Sequence, residues 1–321
     1  MRTIILLIFV VLNLEARVII DHYNNSVLVP ENITKIYAAS PPINMSLLAF
    51  NPDLVGALNS PYNDMQKEYV GSAFDKPIVG GFMGEGRTPN LEMLANLKPD
   101  VILLWGRMNG VSTILSKLKS LNIPVLMVKN DSIYDLVKQF ELLGELSGDK
   151  KRADELIDYT NKTLSFLNEY EKKITKPTRY YFAEGVDGLN SECDGSFHLE
   201  PFNYAGGKNA LDCKMSSNYG MEKISAESVL LSNPDVIVVM EGEFFKNIWQ
   251  NPKFKPLDAL KNKRVFLVPS KPFNYISRPP SFMRLLGIRW LIDSFYPQLI
   301  TTPFDEQKVE FETIFFPQKR S

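Results

Sequence analysis

A short phrase occurs twice in this chain, once in each half. Asn90 to Trp105 reads NLEMLANLKPDVILLW, and Ser225 to Met240 reads SAESVLLSNPDVIVVM. In both, a glutamate is followed seven residues later by Pro-Asp-Val-Ile, Glu92 preceding Pro99 and Glu227 preceding Pro234. Asn90 and Ser225 are good N-cap types standing two positions ahead of the glutamate, so each acid falls in the first turn of a helix. Pro99 and Pro234 then end those helices, because the residue before a proline is driven toward extended conformation. An apolar run of strand length follows each. The chain therefore builds helix, Pro-Asp turn and buried strand in two separate places, which calls for two similar halves.

The rest of the pattern agrees, and 321 residues exceed the usual length of a single domain. VIIDHYNNSVLVPENITKIYAAS alternates apolar and polar residues around Asn24-Asn25, a hairpin pattern leading into a strand at Lys35 to Ala39. A helix from Pro42 to Phe50, a strand from Leu54 to Ala57, a helix from Asn90 to Leu97 and a strand from Val101 to Trp105 are expected next. A helix from Val111 to Leu121 and a strand from Pro124 to Val128 follow. The second half repeats the alternation with strands at Arg179 to Ala183, Val236 to Met240 and Val265 to Val268, and helices at Ser225 to Ser232 and Pro280 to Phe295. Strands alternating with helices imply βαβ units and a largely parallel sheet in each half. Between the halves, Lys150 to Ile174 contains no Gly or Pro and carries an apolar stripe of Leu156, Tyr159, Leu164, Leu167 and Tyr170. As one helix it would span roughly 37 Å at about 1.5 Å per residue, enough to cross from lobe to lobe. The expected division is a leader over residues 1–16, an α/β lobe over 17–146, a connecting helix over 147–176 and a second α/β lobe over 177–321.

The leader reads MRTIILLIFVVLNLEARV: one early arginine, an apolar run from Ile4 to Leu12, and Ala16 before Arg17. That is the shape of a secretory signal and is too short for a membrane span; a buried first strand is the other reading. No cysteine stands near the cut to take a lipid, so a soluble exported protein, not membrane-anchored, is expected. Cys193 and Cys213 are the two cysteines, 20 positions apart. In an oxidising compartment they can close a loop, the alternative being two buried thiols. The formal net charge of -1, with scattered lysines and arginines, offers no nucleic-acid surface.

Chemistry narrows further. The sequence contains no G-x-x-x-x-G-K-[ST], no G-x-G-x-x-G after a strand and no G-x-S-x-G elbow, so an exported enzyme on duplicated Rossmann-like halves stands only as the alternative reading. Histidines are two, His22 and His198, too few for a bare transition-metal site. His198 either completes the coordination sphere of a metal already wrapped by a chelator or is a hydrogen-bonded structural histidine. In open α/β sheets a ligand sits beyond the carboxyl ends of the strands, which singles out Trp105, Arg107, Glu184 and Glu241, with Arg87 and Arg278 in neighbouring loops. Arg87, Arg107 and Arg278 suit an anionic chelate through paired guanidinium donors, or each merely holds a loop. Tyr62, Tyr204, Tyr219, Tyr275 and Trp105 supply flat walls for a ligand or pack as core aromatics.

The hairpin ending in Val27-Leu28-Val29-Pro30, the paired Glu-x6-Pro-Asp phrases, the long mid-chain helix and the late RPPSFMRLLGIRWL together resemble the periplasmic metal-chelate binding proteins of ABC importers. The resemblance covers nearly the whole chain after the leader. It implies a periplasmic monomer of two Rossmann-like α/β lobes joined by one long rigid helix, with no intrinsic cofactor. It also implies a cleft that captures a chelated metal, iron above all, with nickel or cobalt also open. In that family an acid on each lobe pairs with arginines of the permease, and those acids map onto Glu92 and Glu227. The residues alone leave a second account open, since a carboxylate in a first turn gains about 0.3–1 kcal/mol from the helix dipole.

Overall fold

The computed structural model describes residues 16–82, 88–107, 110–216, 220–299 and 301–320. The expected leader thus falls outside the described residues up to Ala16, which opens strand β1 (Ala16–Ile20). β1 pairs antiparallel with β2 (Ser26–Pro30), the expected hairpin. The first lobe continues with β3 (Ile36–Ala38), α1 (Pro41–Phe50), α2 (Lys67–Val70), α3 (Leu91–Leu97), β4 (Val101–Trp105), α4 (Val111–Lys119), β5 (Val125–Val128) and α5 (Asp135–Ser147). Helix α6 (Lys150–Glu171) then leads to β6 (Thr178–Ala183), β7 (Asn190–Ser191), α7 (Glu200–Tyr204), β8 (Gly207–Asn209) and β9 (Glu222–Lys223). The second lobe goes on through α8 (Ala226–Ser232), β10 (Val236–Val239), α9 (Gly242–Asn247), α10 (Asp258–Lys261), β11 (Val265–Leu267) and α11 (Met283–Phe295) to α12 (Phe304–Phe315).

Each lobe is built on a parallel sheet, ordered β3-β4-β5 in the first and β11-β10-β6-β8 in the second. The strands are buried on both faces, and their alternation sorts residues between two layers. Val101 and Leu103 of β4, like Val236 and Val238 of β10, point into one large core shared by both lobes. Ile102 and Leu104 face a separate cluster in the first lobe, and Ile237 and Val239 face another in the second. Corresponding letters of the two phrases therefore occupy corresponding faces.

The structure also gives the Pro-Asp turn its purpose. Lys98 and Asn233 end α3 and α8 in the left-handed region, at φ 45° and 35°. Asp100 then accepts from the backbone N–H groups of Thr34 (2.7 Å) and Lys35 (2.8 Å), just ahead of β3. Asp235 accepts from the N–H of Arg179 at 2.8 Å, within β6. Each aspartate pins the neighbouring strand in register against the one its own phrase begins.

Helix α6 is capped by Asp149, whose carboxylate accepts from Arg152 N at 3.0 Å, and joins the two lobes. At 22 residues and about 1.5 Å each it runs roughly 33 Å. It does not hold them alone. Helix α12, which the sequence reading did not anticipate within the range 177–321, packs Phe311 and Phe315 on Tyr159 of α6 and Phe315 on Phe140 of α5. Arg152 ties the same region together, donating to Ala49 O at 2.6 Å, Phe50 O at 3.1 Å and Ile314 O at 2.7 Å. The carboxyl-terminal segment thus returns from the second lobe to the first.

One expected strand is absent. Around Leu54 to Ala57 the chain forms a 3-10 turn over Pro52–Leu54, with Val55 making a single bridge to Ile36. Pro52 starts the turn and Asn51 caps it by accepting from Asp53 N at 2.9 Å, which draws Leu54, the first residue of the expected strand, into the turn. Cys193 and Cys213 form a disulfide with Cα atoms 5.3 Å apart. Replacing both cysteines by Ser should lower unfolding free energy by about 3 kcal/mol, the loop-closure value for a link of this length. A denaturant midpoint unchanged from the parent chain would contradict that.

Candidate functional site

The carboxyl ends of the two parallel sheets meet in a cleft. One part is a cavity of about 310 Å³, walled by Pro41, Asn44, Tyr62 and Gln66 from the first lobe and by Phe273, Asn274 and Arg278 from the second. Tyr62 stands edge-on to Phe273 with centroids 5.9 Å apart, and its hydroxyl accepts from Asn44 Nδ2 at 3.0 Å; burial pushes that hydroxyl up to about 12. The other part lies where Trp105 and Arg107, at the end of β4, face Phe197 of the second lobe. Trp105 meets Phe197 edge-on at 5.9 Å, and the Arg107 guanidinium lies 5.6 Å over the same ring. Asp131, after β5, steadies both: Trp105 Nε1 donates to it at 3.4 Å and Arg107 stands 3.9 Å away. Gly106 is required between them, because a Cβ there would overlap the Tyr23 ring.

Arg278 links the two parts. Its loop is shaped by Asn274, whose side-chain oxygen accepts from the backbone N–H groups of Ile276 (3.0 Å), Ser277 (3.1 Å) and Arg278 (3.4 Å). The guanidinium is partly open to solvent and donates through Nη2 to Glu184, a carboxyl with no exposure at the end of β6. Burial pushes the Glu184 carboxyl up to about 8, with Arg278 opposing the rise and Glu192 adding to it. His198 is held down to about 4, first by burial and then by the charges of Arg278 and Arg284. It is a neutral imidazole at physiological pH, and its Nδ1 is buried without a hydrogen-bond partner.

Beneath the cleft, a polar seam joins the lobes. Glu200 accepts from Arg284 on one oxygen, and from Ser132 Oγ (2.6 Å) and Ile133 N (2.9 Å) on the other. Arg284, 1% exposed, also reaches Asn130 Oδ1 at 3.4 Å, and Asn130 Nδ2 returns a bond of 2.9 Å to Pro280 O. Gln139 continues the chain by donating to Asn130 (3.0 Å) and accepting from Ser46 Oγ (2.6 Å).

The remaining candidates are dispersed. Arg87 and Tyr219 lie outside the described residues. Tyr275 is not a cleft wall: it is 1% exposed, packed near Phe304, and its carbonyl abuts Gly287 of α11, so a ligand cannot touch it. Tyr204 sits at the seam, edge-on to Tyr134 at 5.9 Å, with burial raising its hydroxyl. Glu241 stands just after β10 at the start of α9, and its Oε2 is buried without a partner. His22 is structural: Nδ1 accepts from Lys129 N and Nε2 donates to Lys138 O, each at 3.1 Å, holding the hairpin to β5. Among the described residues no group of three or more His, Cys, Asp or Glu stands close enough to hold a metal.

Glu92 and Glu227 are both exposed, each in the first turn of a seven-residue helix. Asn90 accepts from Met93 N at 2.9 Å and Ser225 from Ser228 N at 3.0 Å, the caps expected of them. The Glu227 carboxyl is held below its usual value by its own backbone N–H and by the Ser225 hydroxyl. The residues that sequence reasoning missed are Asp131, Phe197, Glu192, Glu200 and Arg284. Their partners lie far along the chain, and no local pattern marks them.

Two parallel α/β lobes bridged by one long helix, with a ligand-sized cleft at their strand ends, define a two-lobed solute-binding protein. The chain belongs to the periplasmic binding protein family, whose model matches residues 61–272. It is similar to a solved ABC transporter solute-binding protein from Sulfurospirillum deleyianum, with 33% identity and a TM-score of 0.86 over 94% of this chain and 95% of that one. It also resembles an uncharacterized ABC transporter substrate-binding lipoprotein of Bacillus subtilis, 28% identical over 65% of each chain. A third relative, an Fe(3+)-citrate-binding protein of the same species, is 25% identical over 66% of this chain and 65% of that one. The chain thus spans just under two thirds of the length of these two curated relatives. No helix among the described residues is long and apolar enough to cross a membrane.

Proposed function

We propose that this protein is the periplasmic receptor of an ABC importer, capturing a metal chelate in its cleft and delivering it to the permease. The observation that carries the reading is the Arg107 guanidinium set on the Trp105–Phe197 aromatic wall at the strand ends, with a second guanidinium, Arg278, lining the cleft cavity. Guanidiniums meet carboxylate or catecholate oxygens through paired donors, and the rings cover the ligand's apolar faces. An iron complex fits the relative whose name records ferric citrate; a nickel or cobalt chelate uses the same features. His198, neutral and with a free ring nitrogen, is the residue suited to complete a bound metal's coordination sphere. Glu92 and Glu227 are the permease contacts, one per lobe.

The test is a panel of ferric citrate, a ferric catecholate siderophore, haem, cobalamin and nickel-histidine, read by tryptophan fluorescence and by thermal shift. Quenching and a raised melting temperature are expected with at least one of them. Arg278→Ala should weaken that ligand on the order of 100-fold, the loss of one desolvated charge-assisted contact. No response to any member of the panel would refute the receptor reading.

A further inference from the structure

Behind Arg278 lies a pair of acids that ligand capture as described does not use. Glu184 and Glu192 are both 0% exposed. Glu192 accepts on each oxygen, from Ser196 Oγ at 2.6 Å and from Met221 N at 3.1 Å. Gly220, at φ 70°, leaves it room, since a Cβ there would overlap the Glu192 carboxyl. The neighbouring disulfide at Cys193 anchors the same stretch. Glu184 accepts from Arg278 through Oε1, while its Oε2 is buried and meets no donor. Two adjacent buried carboxylates, of which only Glu184 meets a guanidinium, leave one negative charge without compensation, which is costly in a water-excluded site. A single proton on the pair removes that charge and gives Glu184 Oε2 the hydrogen it lacks.

We infer that Glu192 is a positioning residue that acts through Glu184: it keeps a proton on Glu184, so that the Arg278 charge is left free for an anionic ligand. This rests on the receptor reading and deepens it, since it assigns the cleft a preference for negatively charged complexes. When Glu184 ionises, it takes the Arg278 charge for itself and repels the incoming anion. Binding an anion therefore raises proton affinity at Glu184, and at pH values where Glu184 is ionised capture is accompanied by proton uptake.

The sign follows from the groups that face the pair. Glu184 sits about 8, so affinity for an anion is level below that pH and falls above it. His198, across Arg278, is already neutral throughout this range, with its value near 4. Tyr181, which adjoins Glu184 and Asp187, is raised far beyond it by burial. Arg284 stays paired with Glu200. Glu184 is the group that titrates in this range.

The experiment has a ligand-free arm and a binding arm, both on the full chain. Infrared difference spectra of the unliganded protein at about pH 7 should show a protonated carboxylic acid that Glu184→Gln removes. In Glu192→Gln the same acid should ionise at lower pH, because the adjoining negative charge is gone. Melting temperatures of both variants confirm folding. In the binding arm, ferric citrate affinity of the parent chain should fall roughly tenfold between about pH 7 and pH 9, as one linked proton requires. Glu184→Gln, which fixes the neutral form, should abolish that fall, and Glu192→Gln should move it to lower pH. A spectrum lacking the protonated acid, or parent and variant profiles that coincide, overturns the inference. If the acid is present but no chelate binds at any pH, it is the receptor reading that fails.

Discussion

Arg284→Ala should destabilise the protein by about 3–5 kcal/mol, the cost of leaving one member of a buried ion pair without its partner. Arg284 is 1% exposed, and Glu200, its partner, also accepts from Ser132 and Ile133 across the lobe boundary. Without the guanidinium, the Glu200 carboxylate remains largely enclosed with only neutral donors, and Asn130 loses one bond. For a chain of this size, that corresponds to a fall in melting temperature on the order of 10 °C. Glu200→Gln in the same background should recover part of the loss, because the stranded charge is then gone. Calorimetry of the single and double variants decides it. Additive losses would mean that the two residues do not act as one unit. The seam also bears on motion, since bonds from Ser46 to Glu200 bind the lobes directly beneath the ligand.

Much of this architecture was readable from residues because its causes are local. Asn90 and Ser225 announce their helices, Pro99 and Pro234 end them, and the apolar runs beyond have nowhere to go but a buried sheet. Strand β4 occurs at the expected Val101 to Trp105, and α6 starts at the expected Lys150. Failures occurred where a distant partner decided the outcome. Tyr275 looks like a cleft residue from its place beside Arg278, yet its ring and carbonyl are claimed by Phe304 and Gly287. Phe304 to Phe315 carries its aromatics onto a first-lobe surface that no pattern in the second half can reveal. Glu192 and Glu200 are ordinary acids in a loop-rich stretch until the fold encloses them. Arg107 stands out by its place just after a strand and Arg278 by its loop before the final helix; the first lies over the Phe197 ring and the second lines the cavity.

Reversing both Glu92 and Glu227 to Lys should reduce ligand uptake through the cognate permease by on the order of 100-fold while leaving ligand affinity unchanged. The two acids occupy the same turn of equivalent helices, are exposed, and are carried by lobes that α6, α12 and the seam connect. Spacing matters because two contacts on a permease strengthen one another only if both are reached together. Each lysine also opposes its own helix dipole, so a small stability loss at each site accompanies the change. That small loss is the entire effect if the acids serve only their helices. Glu92→Gln with Glu227→Gln separates the two accounts further, because the neutral pair relieves the dipole term without introducing repulsion. Uptake should then fall by less than in the lysine variant. Vesicles containing the permease, loaded with receptor and a chelate from the panel, give the measurement. Lysine variants that melt slightly earlier yet transport at the parent rate would assign both glutamates to their helix dipoles alone.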